Sequence, residues 1–374
     1  MKFSCTKSNL AQALSMVNGL ANKSANLPIL ANVLIKVDAQ KVELSATNLE
    51  LAVIVNVRSK IEGEGSYTVP ARTLTEFVNL MPDERVDIEL GGEELLVKCG
   101  KSSTKIKGSP SEEFPVIPPS VDGKGFLIEA GEIKNAIAQV MSSVAKSDIR
   151  PELSGVFFNF NDNAGELTMA ATDSYRLAEK KIKILQGADG VKMIMPGRTA
   201  QEINKIISSS EGGEGEEKNA RFLISDNQIV LNYNNIQLVS RLVDGQYPDY
   251  AQIIPKEFKT TAEFSTNQMI KEIKAASLFT NAGVNSVSVD INVSQGTIGI
   301  SSTSTQTGEY SSEINMDAAG EENSILLNHR YVLDGLNNIG GETTVLKVIS
   351  SESPCMFAPK GDESFLYIVM PIRQ

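Results

Sequence analysis

The chain repeats one pattern three times, and an internal repeat restricts the fold before any residue chemistry is considered. Each copy reads as a strand, an amphipathic helix, further strands, a second helix, and closing strands that end near a proline. The first helices are SNLAQALSMVNGL (8–20), GEIKNAIAQVMSSV (131–144) and TNQMIKEIKAASLF (266–279). Leu10 and Leu14, Ile133 and Ile137, and Met269 and Ile273 take matching i, i+4 positions, the spacing of a core-facing stripe. Ser8 and Thr266 are expected as N-caps, with Gly131 a weaker one. Strand signals fill 33–57, 155–182 and 286–314, with alternation in VELSA, LTMAA and TIGIS broken by the turn signals DAQ, DNAG and SQG. The second helix follows VPAR (69–72), MPGR (195–198) and LLNHR (326–330). Any α+β chain shows strands and helices in some order, but matching order, matching helix registers and a repeated opening argue against coincidence. Phe114-Pro115 and Tyr247-Pro248 close the first two copies, which puts domains at 1–122, 123–256 and 257–374. The expected fold is α+β: three repeated domains, each with two helices packed on antiparallel sheets.

The 374 residues are 41% hydrophobic and 22% charged, the composition of a soluble globular protein. MKFSCTKSNLAQAL holds no apolar run long enough for a signal peptide, and no stretch approaches a membrane span. Cys5, Cys99 and Cys355 lie far apart, without zinc-site spacing, and read as buried thiols of a reducing, cytoplasmic compartment. A net charge of −11 argues against a conventional nucleic-acid binder unless the charges are segregated.

Nothing in the sequence assembles an active site. The single histidine, His329, opens the last predicted helix and reads as a surface or helix-end residue. The glycine-rich stretch SSSEGGEGEEK (208–218) is acidic and lacks the Lys-Ser/Thr of a phosphate loop. GEGSY (63–67) is a turn before a strand. Asp148 and Asp173 could form a carboxylate pair, but helix or turn capping is the default role for each. The expectation is a protein with no catalytic residues, no metal and no cofactor.

Six segments in order, LPIL (27–30), TNLE (47–50), VPAR (69–72), ATDSYRLA (171–178), LVDGQYPDY (242–250) and YIVMPIR (367–373), resemble the β subunit of bacterial DNA polymerase III across essentially the whole chain. The resemblance implies a sliding clamp: a head-to-tail homodimeric ring of six similar domains, helices inside and strands outside, encircling duplex DNA and tethering polymerases and other factors.

Charge and size can be asked whether they agree. Helices predicted at 7–23, 71–81, 131–146, 196–209, 265–279 and 328–339 hold ten basic residues (Lys7, Lys23, Arg72, Lys134, Lys146, Arg198, Lys205, Lys271, Lys274, Arg330). Their five acids are Glu76, Glu132, Glu202, Glu272 and Asp334, so the helices carry +5 and the remainder −16. A basic lining holds DNA without reading its sequence. Helices packed ~10 Å apart would leave an opening of only ~9 Å for six, but ~28 Å for twelve. If the helices line a hole for duplex DNA, as the resemblance implies, one chain is insufficient and two suffice.

The resemblance also implies site residues. At the interface Lys105, Ile106 and Lys107 would meet Leu278, Phe279, Glu309 and Glu313 of another copy. A pocket for short linear motifs would be walled by Leu153, Thr172, Ser174, Tyr175, Arg176 and Leu177, then by Pro248, Ile253, Asn328 and Tyr331, and finally by Ile368, Met370, Pro371, Ile372 and Arg373. Lys23, Lys146, Arg150 and Arg198 match or neighbour DNA-contacting positions. Ser174 stands where the family usually has glycine, Gln252 where arginine is common, and Gln374 in place of a terminal leucine; Pro151–Glu152 replaces polar or aromatic DNA-contacting residues.

Overall fold

The structure is a computed structural model, and it describes the chain apart from residues 22–26, 119–122, 148, 162–164, 188–189, 211–216, 282 and 374. Lys23, Asp148 and Gln374 are therefore outside the described residues. The first repeat runs β1 (Lys2–Thr6), α1 (Lys7–Asn18), β2 (Asn32–Val37), β3 (Val42–Thr47), β4 (Leu51–Val57), β5 (Lys60–Gly63), β6 (Gly65–Pro70), α2 (Ala71–Leu80), β7 (Arg85–Gly91), β8 (Glu94–Cys99) and β9 (Ser102–Lys107). The second runs β10 (Lys124–Glu129), α3 (Ala130–Met141), β11 (Gly155–Phe160), β12 (Glu166–Thr172), β13 (Arg176–Lys183), β14 (Val191–Pro196), α4 (Gly197–Ser210), β15 (Asn219–Ile224), β16 (Gln228–Tyr233) and β17 (Ile236–Arg241). The third runs β18 (Thr260–Ser265), α5 (Thr266–Ser277), β19 (Ser286–Asn292), β20 (Thr297–Ser304), β21 (Gly308–Asn315), β22 (Asp317–Gly320), β23 (Asn323–Asn328), α6 (His329–Asn338), β24 (Thr343–Val348), β25 (Cys355–Pro359) and β26 (Phe365–Val369).

The first strand of each repeat runs without a break into its helix, so the cap is the strand's last residue. Thr6 accepts the Asn9 N–H at 3.2 Å and Ser265 accepts that of Gln268 at 3.5 Å, which corrects the expected caps Ser8 and Thr266. Ser8 lies inside the first turn, and the Thr266 hydroxyl is buried against that of Thr344, 2.8 Å away. The paired stripe residues are all at most 1% exposed: Leu10 and Leu14, Ile133 and Ile137, Met269 and Ile273. The three cysteines are free and buried, and burial pushes the thiols of Cys5 and Cys355 up to about 12.

Two sheets grow across repeat boundaries. In the eight-stranded sheet β10-β15-β16-β17-β4-β3-β2-β6, the last strand of repeat two pairs antiparallel with β4 of repeat one. In the nine-stranded sheet β14-β11-β12-β13-β26-β25-β24-β18-β22, the last strand of repeat three pairs with β13 of repeat two. The corresponding strands left over, β9 and β21, lie at the ends of a five-stranded sheet (β5-β1-β7-β8-β9) and a four-stranded sheet (β21-β20-β19-β23).

The chain divides into two compact units, one of Met1–Gly131, Leu185–Gly187 and Glu202–Leu242, the other of Glu132–Ile184, Ala188–Gln201 and Val243–Gln374. The eight- and five-stranded sheets belong to the first unit and the nine- and four-stranded sheets to the second. The division cuts through the middle repeat, because each half of that repeat shares a continuous sheet with a neighbour.

Candidate docking elbow and DNA-facing cations

The turn between β12 and β13 is an elbow built by its own side chains. Thr172 Oγ1 accepts the Ser174 N–H at 3.1 Å and donates to the Arg176 carbonyl at 2.7 Å. Asp173 Oδ1 accepts the N–H groups of Tyr175 at 3.0 Å and Arg176 at 3.1 Å. Of the expected helix- or turn-capping roles, Asp173 Oδ1 takes that of a turn cap. These bonds hold Ser174 in the left-handed region at φ 77°, which L-residues other than glycine adopt only at a cost. The next repeat's final strand docks on the elbow, and the Met370 N–H donates to the Tyr175 carbonyl at 2.9 Å.

Arg176 is 6% exposed, and its guanidinium donates to Asp334 and, at 3.0 Å, to Asp173. Burial works against its charge, but Tyr367 and the bonded Asp334 outweigh it and hold the group protonated above its usual range. The guanidinium carbon also lies 4.6 Å from the centroid of the Tyr331 ring. Tyr175 stacks on that ring at 6.3 Å and stays 62% exposed. Behind the elbow, Phe157, Tyr247 and Tyr250 form an aromatic group, with Phe157 and Tyr247 stacked at 5.0 Å. The Tyr247 hydroxyl accepts the Thr172 N–H at 3.0 Å, and Tyr250 donates to Glu179 at 2.7 Å. Burial pushes both phenols well above their ordinary range, Tyr250 further because of Glu179.

The expected pocket wall divides into two layers. Leu153, Thr172, Arg176, Leu177 and Ile368 are buried, and Leu177 packs with Ala170 and Ile368 in the core. The accessible layer is Ser174, Tyr175, Pro248, Ile253, Asn328, Tyr331, Met370, Pro371, Ile372 and Arg373. Asn328 is also the cap of α6, accepting the Arg330 N–H at 3.0 Å. Sequence reasoning missed Phe157, Tyr247, Tyr250, Glu179 and Asp334. The spacing Tyr247-Pro248-Asp249-Tyr250 is the available signal: it marks the end of a repeat and carries part of the resemblance, but only its Pro248 is expected in the pocket wall. A separate open hollow of about 550 Å³, lined by Leu27, Pro28, Ile29, Pro70 and the end of β9, lies in the first unit and touches none of these residues.

The sequence matches the family descriptions of the DNA polymerase III beta subunit along its length: the N-terminal domain at 1–118, the central domain at 127–249 and the C-terminal domain at 251–373. The chain belongs to the DNA polymerase III beta subunit family. It is 26% identical over 383 residues to the beta sliding clamp of Staphylococcus epidermidis, covering 100% of this chain and 99% of that one. Among solved structures it superposes on the sliding clamp of Bacillus subtilis with a TM-score of 0.93 at 26% identity, covering 100% and 99% of the two chains. The Pseudomonas aeruginosa clamp solved bound to griselimycin gives 0.93 at 25% identity, with both chains fully covered. The three repeats are thus three clamp domains, and the protein is a sliding clamp rather than an enzyme.

The clamp's candidate DNA-facing cations differ in how free they are. Arg72 and Arg198 are the second residues of α2 and α4 and are exposed, although Arg72 donates to Glu76 at 2.7 Å. Lys271 and Lys274 are exposed on α5, and Lys134 is half-buried on α3. Lys205 is half-buried 3.4 Å from Glu202, and its terminal ammonium lies close over Gly19, just past the end of α1. Lys146 falls beyond α3, a correction to the expected span 131–146. Counted on the observed helices, eight basic residues face the same five acids, so the net is +3 rather than +5. Two of those acids, Glu76 and Glu202, are paired within their own helices, and Asp334 is taken by Arg176. Arg150 donates to Glu152 at 3.0 Å.

At the free edges, Lys105, Lys107, Glu309 and Glu313 are exposed. Leu278 is 70% exposed, and Phe279 stacks on Tyr310 at 6.0 Å. Ile106 is 5% exposed and faces its own core, leaving little apolar surface for a neighbour. His329 is the first residue of α6 but is buried rather than at the surface, and its Nδ1 has no hydrogen-bond partner. Among the described residues no group of three His, Cys, Asp or Glu side chains could hold a metal, and no helix is long and apolar enough to cross a membrane.

Proposed function

We propose that this clamp acts as a topological tether in the cytoplasm. Two copies, each of domains 1–122, 123–256 and 257–374, close head to tail around duplex DNA. Replicative polymerase, clamp loader and other partners dock short apolar-anchored segments at the elbow between β12 and β13. The DNA is held without sequence readout by the helix cations, Lys23, Lys146 and Arg150 among their neighbours.

The pair of leftover edges carries the two-copy reading. Both internal junctions use one register: Arg176 opposite Val369, and Leu51 opposite Ser240. Val369 and Ser240 each lie three residues before a residue, Ile372 or Val243, whose N–H binds the strand before the second helix; Ser109 does the same in repeat one. Three residues before Ser109 is Ile106. On the other side, Leu177 pairs with Thr172, Ala52 with Thr47 and Glu309 with Thr303. The same register applied between copies sets Gly308 opposite Ile106, Glu309 opposite Lys105 and Glu313 opposite Lys101. Both charged pairs are of opposite sign, the favourable arrangement across antiparallel strands. An unpaired edge is otherwise a liability.

A Glu309→Cys, Lys105→Cys double variant is expected to form a disulfide-linked dimer on oxidation. A dimer by sedimentation that does not cross-link would shift the register, and a monomer at every concentration would reject the two-copy reading. On circular duplex the loaded protein should persist, and linearising the circle should release it.

A further inference from the structure

Ser174 pays for a backbone conformation natural to glycine, and its hydroxyl accepts from Arg150 Nη1 at 3.4 Å. Arg150 precedes the short turn Pro151–Leu153, and its carbonyl accepts the Leu153 N–H at 3.0 Å. Leu153 packs on Tyr247, whose hydroxyl holds the Thr172 N–H, and Thr172 in turn holds Ser174. The contacts form a closed circuit from Arg150 through the elbow and back, entirely within the second compact unit. The guanidinium is more than half exposed and shares itself with Glu152.

We propose that Arg150 couples the two surfaces: it braces the docking elbow through Ser174, and a DNA phosphate draws it away. A phosphate offers the guanidinium two parallel charge-assisted hydrogen bonds, which one hydroxyl at 3.4 Å does not match. Duplex DNA therefore weakens peptide docking, and docked peptide weakens DNA contact by the same factor. This inference rests on the proposed docking role of the elbow and on Arg150 as a DNA contact.

The test measures binding of a fluorescein-labelled hexapeptide with leucine and phenylalanine anchors by anisotropy, with and without a saturating short duplex at low salt. The duplex is expected to weaken peptide binding about 3-fold, the low end of the net contribution of one hydrogen bond, as suits a long contact at the surface. Ser174→Ala, which keeps the backbone constraint but lacks the hydroxyl, should bind about 3-fold more weakly without duplex and show no further change when duplex is added. High salt, which strips the duplex from cations, should restore the wild-type affinity. A wild-type affinity indifferent to duplex overturns the coupling, as does an undiminished duplex effect in Ser174→Ala. Absence of peptide binding under every condition overturns the docking role itself, and this inference with it.

Discussion

The elbow at Thr47–Ala52 and the elbow at Thr172–Leu177 share one backbone. Thr47 Oγ1 accepts the Leu49 N–H and donates to the Leu51 carbonyl, both at 3.0 Å, as Thr172 does for Ser174 and Arg176. Asn48 caps where Asp173 caps, and the left-handed residue is Leu49 at φ 79° against Ser174 at φ 77°. Each receives the following repeat's final strand, Arg241 on Glu50 and Met370 on Tyr175, both at 2.9 Å. Their furnishing differs. The first elbow carries Glu50 and a buried Leu51; the second carries an exposed tyrosine and a buried arginine held by two carboxylates. Repetition built the frame twice, and only one copy acquired the aromatic and charged groups that could recognise a partner.

The largest break in that contrast comes from copying the first elbow's leucine into the second. Arg176→Leu should lower stability by about 3 kcal/mol, because it leaves Asp173 and Asp334 without their cation; urea unfolding measures it, and no change would mean the ion pair is idle. Tyr247→Phe copies Phe114, which closes the first repeat at the matching Phe-Pro. It strands the buried Thr172 N–H and should cost about 1.5 kcal/mol by the same assay. Leu49→Gly and Ser174→Gly both release left-handed strain and should each raise stability by about 1 kcal/mol. A gain at Leu49 alone would show that Ser174 is compensated by its bond to Arg150.

The smallest effect concerns His329, whose place in the other repeats is taken by Ala71 and Gly197, neither of which titrates. Burial, then Arg330, lowers its folded pKa. The unfolded chain therefore takes up the proton first, and stability falls as pH drops through about 6.5 towards the folded value. Thermal melts between neutral pH and pH 5 should show a shallower fall in His329→Gln, and identical slopes would remove the histidine from the acid response.

The repeat and the six stripe residues were legible because helical periodicity is written in neighbours three and four apart. The caps were misplaced by a residue or two because a strand that ends in its own helix leaves no loop to mark the boundary. Arg176 was named from resemblance, but its partner Asp334 lies 158 residues away and was assigned to the DNA-facing charge instead. Only the β13–β26 ladder, which brings the third repeat onto the second, joins them. Lys205 reads from the sequence as one more helix cation for the same reason, since its position over Gly19 depends on two helices from different repeats.

The leftover edges are unlike: β9 closes a repeat, while β21 follows an elbow. A contact between unlike edges has a direction, so strand chemistry alone would allow a third copy to join as readily as a second. The count must then be decided by the angle turned at each junction, because equal turns that fail to complete a circle give a spiral of indefinite length. A small change in how the sheets meet, far from either edge, could turn a closed assembly into a fibre without altering a single interface residue.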